Sequence, residues 1–157
     1  MLGRPARLAA HLAALAAVAC ASPKSSEPPA RPVPRVIVET ASGRHAVSVE
    51  VVRSDADRAR GLMNRTKLDP EAGMLFVFEA SDDHSFWMKN TFLPLDMIFV
   101  DEQGRVAGVL ERVPPLTTEP RTIGRPSRYV LEVNGGWAAA HGVRRGDPVR
   151  FEDVPLY

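Results

Sequence analysis

A chain of 157 residues with 45% apolar and 25% charged side chains has the size and composition of one globular domain with room for appendages. Its formal charge of +1 misleads, because from Val36 onward 15 basic residues face 18 acidic ones, about −3. That balance, with no basic stripe interleaved by aromatics, argues against a nucleic-acid partner, and a single cysteine excludes an internal disulfide.

Arg4 and Arg7 precede an apolar run, Leu8 to Ala19, interrupted only by His11. The run is too short to span a bilayer and suits the h-region of a signal peptide. It ends in Ala17-Val18-Ala19-Cys20, the pattern of a bacterial lipobox with alanine where leucine is more usual. Residues 1–20 are therefore expected to be a lipoprotein signal peptide ending at an acylated Cys20, which anchors the protein to a membrane. The alternative is an ordinary secretory signal cleaved nearby. Ala21, in place of an aspartate retention signal, points to the outer membrane with the domain facing the periplasm. Residues 21–35 carry Pro23, Pro28, Pro29, Pro32 and Pro34 with Ser22, Ser25 and Ser26, the composition of an extended tether that buries no core.

Residues 36–157 read as one β-rich domain. Val36 to Thr40 is a β-branched strand, Ser42-Gly43 a turn, and Ala46 to Val52 its hairpin partner. Ser54-x-x-Asp57 is a capping box that opens a short helix through Arg60, with Gly61 as its stop. Met74 to Phe78 is a continuous apolar run, predicting a strand buried on both faces. Ser85 to Val100, SFWMKNTFLPLDMIFV, predicts two strands separated at Pro94. Val106 to Val113 and Tyr129 to Asn134 are further strands, flanking a proline-rich loop, Pro114 to Arg128. Trp137 to His141 suits a short helix and Val149 to Phe151 a last strand. About eight short strands, mostly hairpin-connected and without a βαβ rhythm, predict a mainly β (α+β) fold: a small, partly closed antiparallel sheet or barrel with two short helices.

Chemistry concentrates on Phe86 to Thr91. As a strand it places Phe86, Met88 and Asn90 on a core face and Trp87, Lys89 and Thr91 on the other. An aromatic plate, an ammonium and a hydroxyl in a row suit an anionic or polyhydroxylated small ligand, while a surface Trp and Lys on an amphipathic strand is the plainer reading. Seventeen of the 20 basic residues are arginine, so the retained Lys89 hints at a need for a compact ammonium. Asp96, inside an apolar run, is the natural partner of Lys89 across the Pro94 turn, as a structural or a catalytic pair. Glu132 and Asn134 share one face of a later strand and are candidates for the same cluster. The domain offers no cysteine, no G-x-S-x-G and no serine with an evident base, so nucleophilic catalysis finds little support. Asp82, Asp83 and His84 have poor metal-ligand spacing, and Met63, Met74, Met88 and Met97 fit core packing far better than Cu(I) binding.

The blocks Arg60-Gly61-Leu62-Met63, Gly73 to Phe78, Phe86 to Thr91, Pro94-Leu95-Asp96 and Val130 to Gly136, with Gly142 and Gly146-Asp147 beyond them, resemble the bacterial and archaeal family catalogued as domain of unknown function 192. The resemblance covers nearly all of Val36 to Phe151 in order and spacing. It implies a small β-rich domain, often exported, and carries no established activity. By matching blocks it marks Arg60, Met63, Trp87, Lys89, Asn90, Thr91, Asp96, Glu132 and Asn134 as candidate ligand-binding positions. The expectation is a monomeric envelope lipoprotein, held to the membrane by Cys20, that binds a small polar or anionic molecule such as a saccharide at a Trp87/Lys89/Asn90/Asp96 cleft, without cofactor or metal. The competing expectations are a hydrolase or lyase using Lys89 and Asp96 as an acid–base pair, and a structural or interaction module of the envelope.

Overall fold

The computed structural model describes residues 32–155. The expected signal peptide, the lipobox Cys20 and all but the last residues of the tether lie outside the described residues. Seven strands and two helices follow in the order β1 (Arg35–Thr40), β2 (Gly43–Val52), α1 (Asp55–Arg60), β3 (Ala72–Asp82), β4 (Leu95–Val100), β5 (Val106–Val113), β6 (Ser127–Asn134), α2 (Trp137–His141) and β7 (Val149–Glu152). They form one sheet in the order β5-β4-β6-β3-β2-β1-β7, curled into a half-barrel. The mainly β reading with two short helices is what the structure shows.

Local chemistry sets the helix as expected. Ser54 Oγ accepts the Asp57 backbone N–H at 3.1 Å, and Gly61, with φ of 48°, ends the helix. A Cβ at Gly61 would lie 3.2 Å from Phe76 Cζ, so the glycine lets the chain turn closely over the sheet and deliver Leu62 into the core. One connection departs from expectation. β2 and β3 run parallel, Val49 opposite Gly73 and Val52 opposite Phe76. A parallel pair cannot be joined by a hairpin, and residues 53–71 with α1 supply the crossover. The chain therefore does contain one βαβ unit.

Both faces of the central strands are covered, which explains why every residue of β4 is buried. Leu75, Val77, Ile98, Val100, Leu131 and Val133 pack on one face with Trp137 and Ala138 of α2. Met74, Phe76, Leu95, Met97, Phe99 and Val130 face the other way, under Leu62 and Met88. The second correction concerns the layer that brings Met88. Phe86 to Thr91 is not a strand of the sheet but part of a segment lying over it. Its backbone pairs with the proline-rich loop: Phe86 and Arg121 exchange hydrogen bonds at 2.9 and 2.7 Å, and Met88 N–H donates to Thr117 O at 2.9 Å. Asn90, in the left-handed region at φ of 53°, then turns the chain. The sheet therefore has seven strands where eight were expected.

Candidate functional site

Where the exit of α1 meets the covering segment, the second face of the sheet opens into a cleft of about 240 Å³. Arg60 and Met63 come from the helix exit, Phe76 and Phe78 from β3, Phe86, Trp87 and Thr91 from the covering segment, and Glu132 from β6. Five of the nine candidate positions, Arg60, Met63, Trp87, Thr91 and Glu132, thus line one cleft. Its wall is an aromatic lattice. Phe86 meets Phe76 edge to face at 5.1 Å and Phe99 at 5.8 Å, and the Arg58 guanidinium lies 4.9 Å over Phe78. Such contacts fix rings in single orientations and hold the opening in shape. Arg58 is itself held by the carbonyls of Arg53 and Val77 and by the Asp55 carboxylate. Arg60, largely exposed and 4.0 Å from the Asp57 carboxylate, is the other guanidinium at the rim.

Glu132 is the chemically unusual member. It occupies the middle of the sheet, directly between Met74 of β3 and Met97 of β4. Neighbours opposite one another in adjacent strands stand side by side on one face, so two thioethers flank the carboxyl. Only 4% of Glu132 is exposed, and its carboxyl has no hydrogen-bond or ion-pair partner among the described residues. Burial penalises the carboxylate without a nearby cation to offset it, and lifts the pKa to about 8. Near neutrality the side chain is therefore mostly a neutral acid, with one O–H donor and a carbonyl acceptor turned to the cleft.

The other four candidates lie elsewhere. Lys89 is exposed, its Nζ 5.5 Å from the Trp87 ring, so it borders the cleft through the tryptophan. Asn90 is exposed and its carbonyl accepts the Asn64 N–H at 2.8 Å. Asn134 Nδ2 donates to the carbonyls of Leu68 and Asp69, both at 3.1 Å, and so pins a loop. Asp96 points to the opposite face of the sheet, because its strand neighbours Leu95 and Met97 belong to the cleft side. There it is fully buried, with Oδ1 accepting the N–H groups of Arg112 and Gly136 and Oδ2 that of Ala138. The expected Lys89–Asp96 pair is not formed: the sheet stands between the two faces, and backbone donors satisfy the aspartate.

Asp82, Asp83 and His84 do not converge, and among the described residues no three His, Cys, Asp or Glu side chains are placed to hold a metal ion. His84 instead stacks on Phe78 at 3.5 Å, and desolvation lowers its pKa. Met74, Met88 and Met97 pack in the core beside the cleft, and Met63 lines it. His45 and His141, 96 positions apart and with no local pattern linking them, meet with rings 4.4 Å apart. Thr40 and Ser42 hydroxyls both donate to the His141 carbonyl, at 2.9 and 2.8 Å, tying the β1–β2 hairpin to α2.

Comparison with known proteins places this geometry in a group. The family model DUF192, described as "Uncharacterized ACR", matches residues 36–151. A crystal structure of a protein of unknown function from Novosphingobium aromaticivorans DSM 12444 is 42% identical, covering 74% of this chain and 83% of its own, with a TM-score of 0.72. A protein from Sinorhizobium meliloti 1021, described as a candidate transcription regulator, is 36% identical over 79% of this chain and 97% of its own, with a TM-score of 0.74. No curated protein matches.

Proposed function

Because the chain belongs to the DUF192 family, which carries no assigned activity, function has to be argued from the cleft, and we propose that it binds a small, neutral, polyhydroxylated ligand of the saccharide class. One observation carries this reading: a nine-tenths-buried carboxyl without a partner opens on a pre-formed aromatic cleft. Leaving a buried polar group unpaired costs stability, typically about 1–3 kcal/mol, and the cost is recovered where a ligand completes the hydrogen bonds. The neutral acid offers a donor and an acceptor side by side, which matches a hydroxyl pair. The half-exposed Trp87 ring offers a stacking surface for the apolar face of a sugar, and Arg60 at the rim tolerates a carboxylated one. This is a binding site; the acid–base reading has lost its second member, since Asp96 faces away.

A thermal-shift screen of neutral and carboxylated saccharides against the full chain tests the proposal. At least one should raise the melting temperature saturably, and Trp87→Ala should weaken that ligand by about 1–3 kcal/mol, five- to 150-fold. A hit to which Trp87→Ala responds like the wild type places the site elsewhere.

The protein is further proposed to work as a monomer on the periplasmic side of the outer membrane, anchored by acylated Cys20, as the lipobox pattern suggests. Cys20→Ser should move it from the membrane to the soluble fraction of cells expressing the full chain. If the variant still sediments with membranes, the anchor is not Cys20.

A further inference from the structure

Seven of the described arginines pair with carboxylates, and three of those outside that set converge on one place. Arg35, Arg44, Arg58, Arg60, Arg65, Arg121 and Arg150 each have a carboxylate partner within 4 Å. Arg105, Arg125 and Arg145 have none among the described residues, yet they line a single cavity of about 320 Å³. Each precedes a different strand, β5, β6 or β7, so the chain brings them together only through its topology. We propose that this cavity binds the phosphate group of an organic phosphate ester, at a site separate from the Glu132 cleft.

The rim is held in place before any ligand arrives. Val106 N–H donates to Asp147 O at 3.0 Å, Gly146 N–H to Val106 O at 2.8 Å, and Val149 N–H to Gly104 O at 2.8 Å. These bonds lace the loop before β7 to the start of β5. Arg105 Nη1 donates to Gly146 O at 3.1 Å, which directs its side chain along that seam. Gly104 is obligatory here: its φ is 72°, and a Cβ would lie 2.9 Å from Val149 O.

Asp101 in the cavity lining and Asp147 next to Gly146 are the nearby carboxylates, and both accept backbone N–H groups. Asp101 Oδ1 accepts the backbone N–H groups of Gln103 at 3.0 Å and Arg105 at 2.8 Å, closing the β4–β5 turn. Asp147 Oδ2 accepts the Arg144 N–H at 2.7 Å. Three guanidiniums against the one carboxylate that lines the cavity leave a local excess of two positive charges. Guanidinium favours oxyanions because its planar fork makes paired hydrogen bonds, and a phosphate has oxygens for several such forks. The volume falls in the range of small-molecule sites rather than of a bare anion, and Val106, Ala107 and Pro126 supply an apolar part for the ester's organic portion.

The phosphate could reach the site on a soluble ester or on a lipid headgroup, and the test separates the two. Full-length protein carrying Cys20→Ser, so that no acyl chain contributes, is titrated with inorganic phosphate, with glycerol 3-phosphate, and with phosphatidylglycerol or phosphatidylcholine vesicles at fixed ionic strength. Glycerol 3-phosphate should bind more tightly than inorganic phosphate, and Arg125→Gln or Arg145→Gln should each weaken it about tenfold. The control Arg150→Gln, outside the cavity, should bind like the parent. Binding to phosphatidylglycerol vesicles alone, lost in the Arg125→Gln/Arg145→Gln double variant, supports the site with the lipid as its source. The proposal is overturned if no phosphate binds, if sodium chloride at matched ionic strength reproduces the effect, or if the double variant binds like the parent. A retained circular-dichroism melt in the double variant shows that a loss is not unfolding.

Discussion

Replacing Asp96 with alanine is expected to destabilise the domain by about 3–5 kcal/mol, a large part of the 5–15 kcal/mol that holds a typical domain together. The carboxylate is fully buried and accepts three backbone N–H groups at 2.7–2.9 Å. Two lie at strained or irregular backbone. Arg112, with φ of 48°, sits in the bulge where the β4–β5 register shifts between Leu95 and Met97. Gly136, with φ of 98°, leads into α2, and a Cβ there would lie 2.8 Å from Arg112 Nη2. One side chain therefore clamps a bulge and a helix start that pack on each other, and alanine leaves three buried donors without an acceptor. Asn at 96 keeps the Oδ1 bonds but turns an amide donor toward the Ala138 N–H, so a smaller loss of about 1–3 kcal/mol is expected. Urea midpoints at unchanged slope measure both losses. An alanine variant within 1 kcal/mol of wild type would show that the clamp is energetically idle. Because Asp96 lies on the face away from the cleft, Asp96→Asn should leave saccharide binding unchanged, which an acid–base role for Asp96 would not allow.

Much of the sheet was legible because its strands carry their burial in their spelling. β4 has six buried residues and reads as a continuous apolar run, and Leu75 and Val77 alternate with Met74 and Phe76 between the two faces. Phe86 to Thr91 spells a strand because its residues alternate between an apolar face and one carrying Trp87 and Lys89, and the structure does bury Met88 between those two exposed side chains. An extended segment lying on a sheet produces that alternation as readily as one within it, and only its hydrogen-bond partners tell them apart. Here they belong to a proline-rich loop with no periodicity of its own. The parallel β2–β3 pairing was hidden for a similar reason: its crossover helix has six residues and no buried one. At the site, residue types marked Glu132 and Asp96 equally, as acids within apolar strands. Which of them faces the cleft and which meets backbone donors follows from parity along the sheet and from the donors opposite, and both are tertiary facts. The three cavity arginines stand 20 residues apart in a chain full of arginine, so nothing local distinguished them.

The second large effect is expected from Glu132→Gln, and it should be a gain in stability that grows with pH. In the folded protein the carboxyl titrates at about 8, against about 4.5 for a solvated glutamate. Below pH 4.5 folded and unfolded chains both hold the proton, and the group favours neither. Between 4.5 and 8 the unfolded chain releases it while the folded one keeps it, so stability falls as pH rises, by up to about 1.4 kcal/mol per unit. Above 8 both forms are ionised and the loss is complete, at several kcal/mol. Glutamine has nearly the same shape and carries no titrating proton, so the two proteins should be similarly stable at pH 5 and diverge in favour of the variant toward pH 9. Denaturation midpoints across that range measure the divergence, and parallel curves would sink the assignment of a neutral acid at the base of the cleft. The same variant separates binding from chemistry. An amide supplies a donor and an acceptor as the protonated carboxyl does, so Glu132→Gln should hold the saccharide at pH 6 with near-native affinity and keep it above pH 8, where the wild type weakens as Glu132 ionises. A carboxylate acting as a base or nucleophile would show the reverse: turnover in the wild type that rises through pH 8 and vanishes with glutamine.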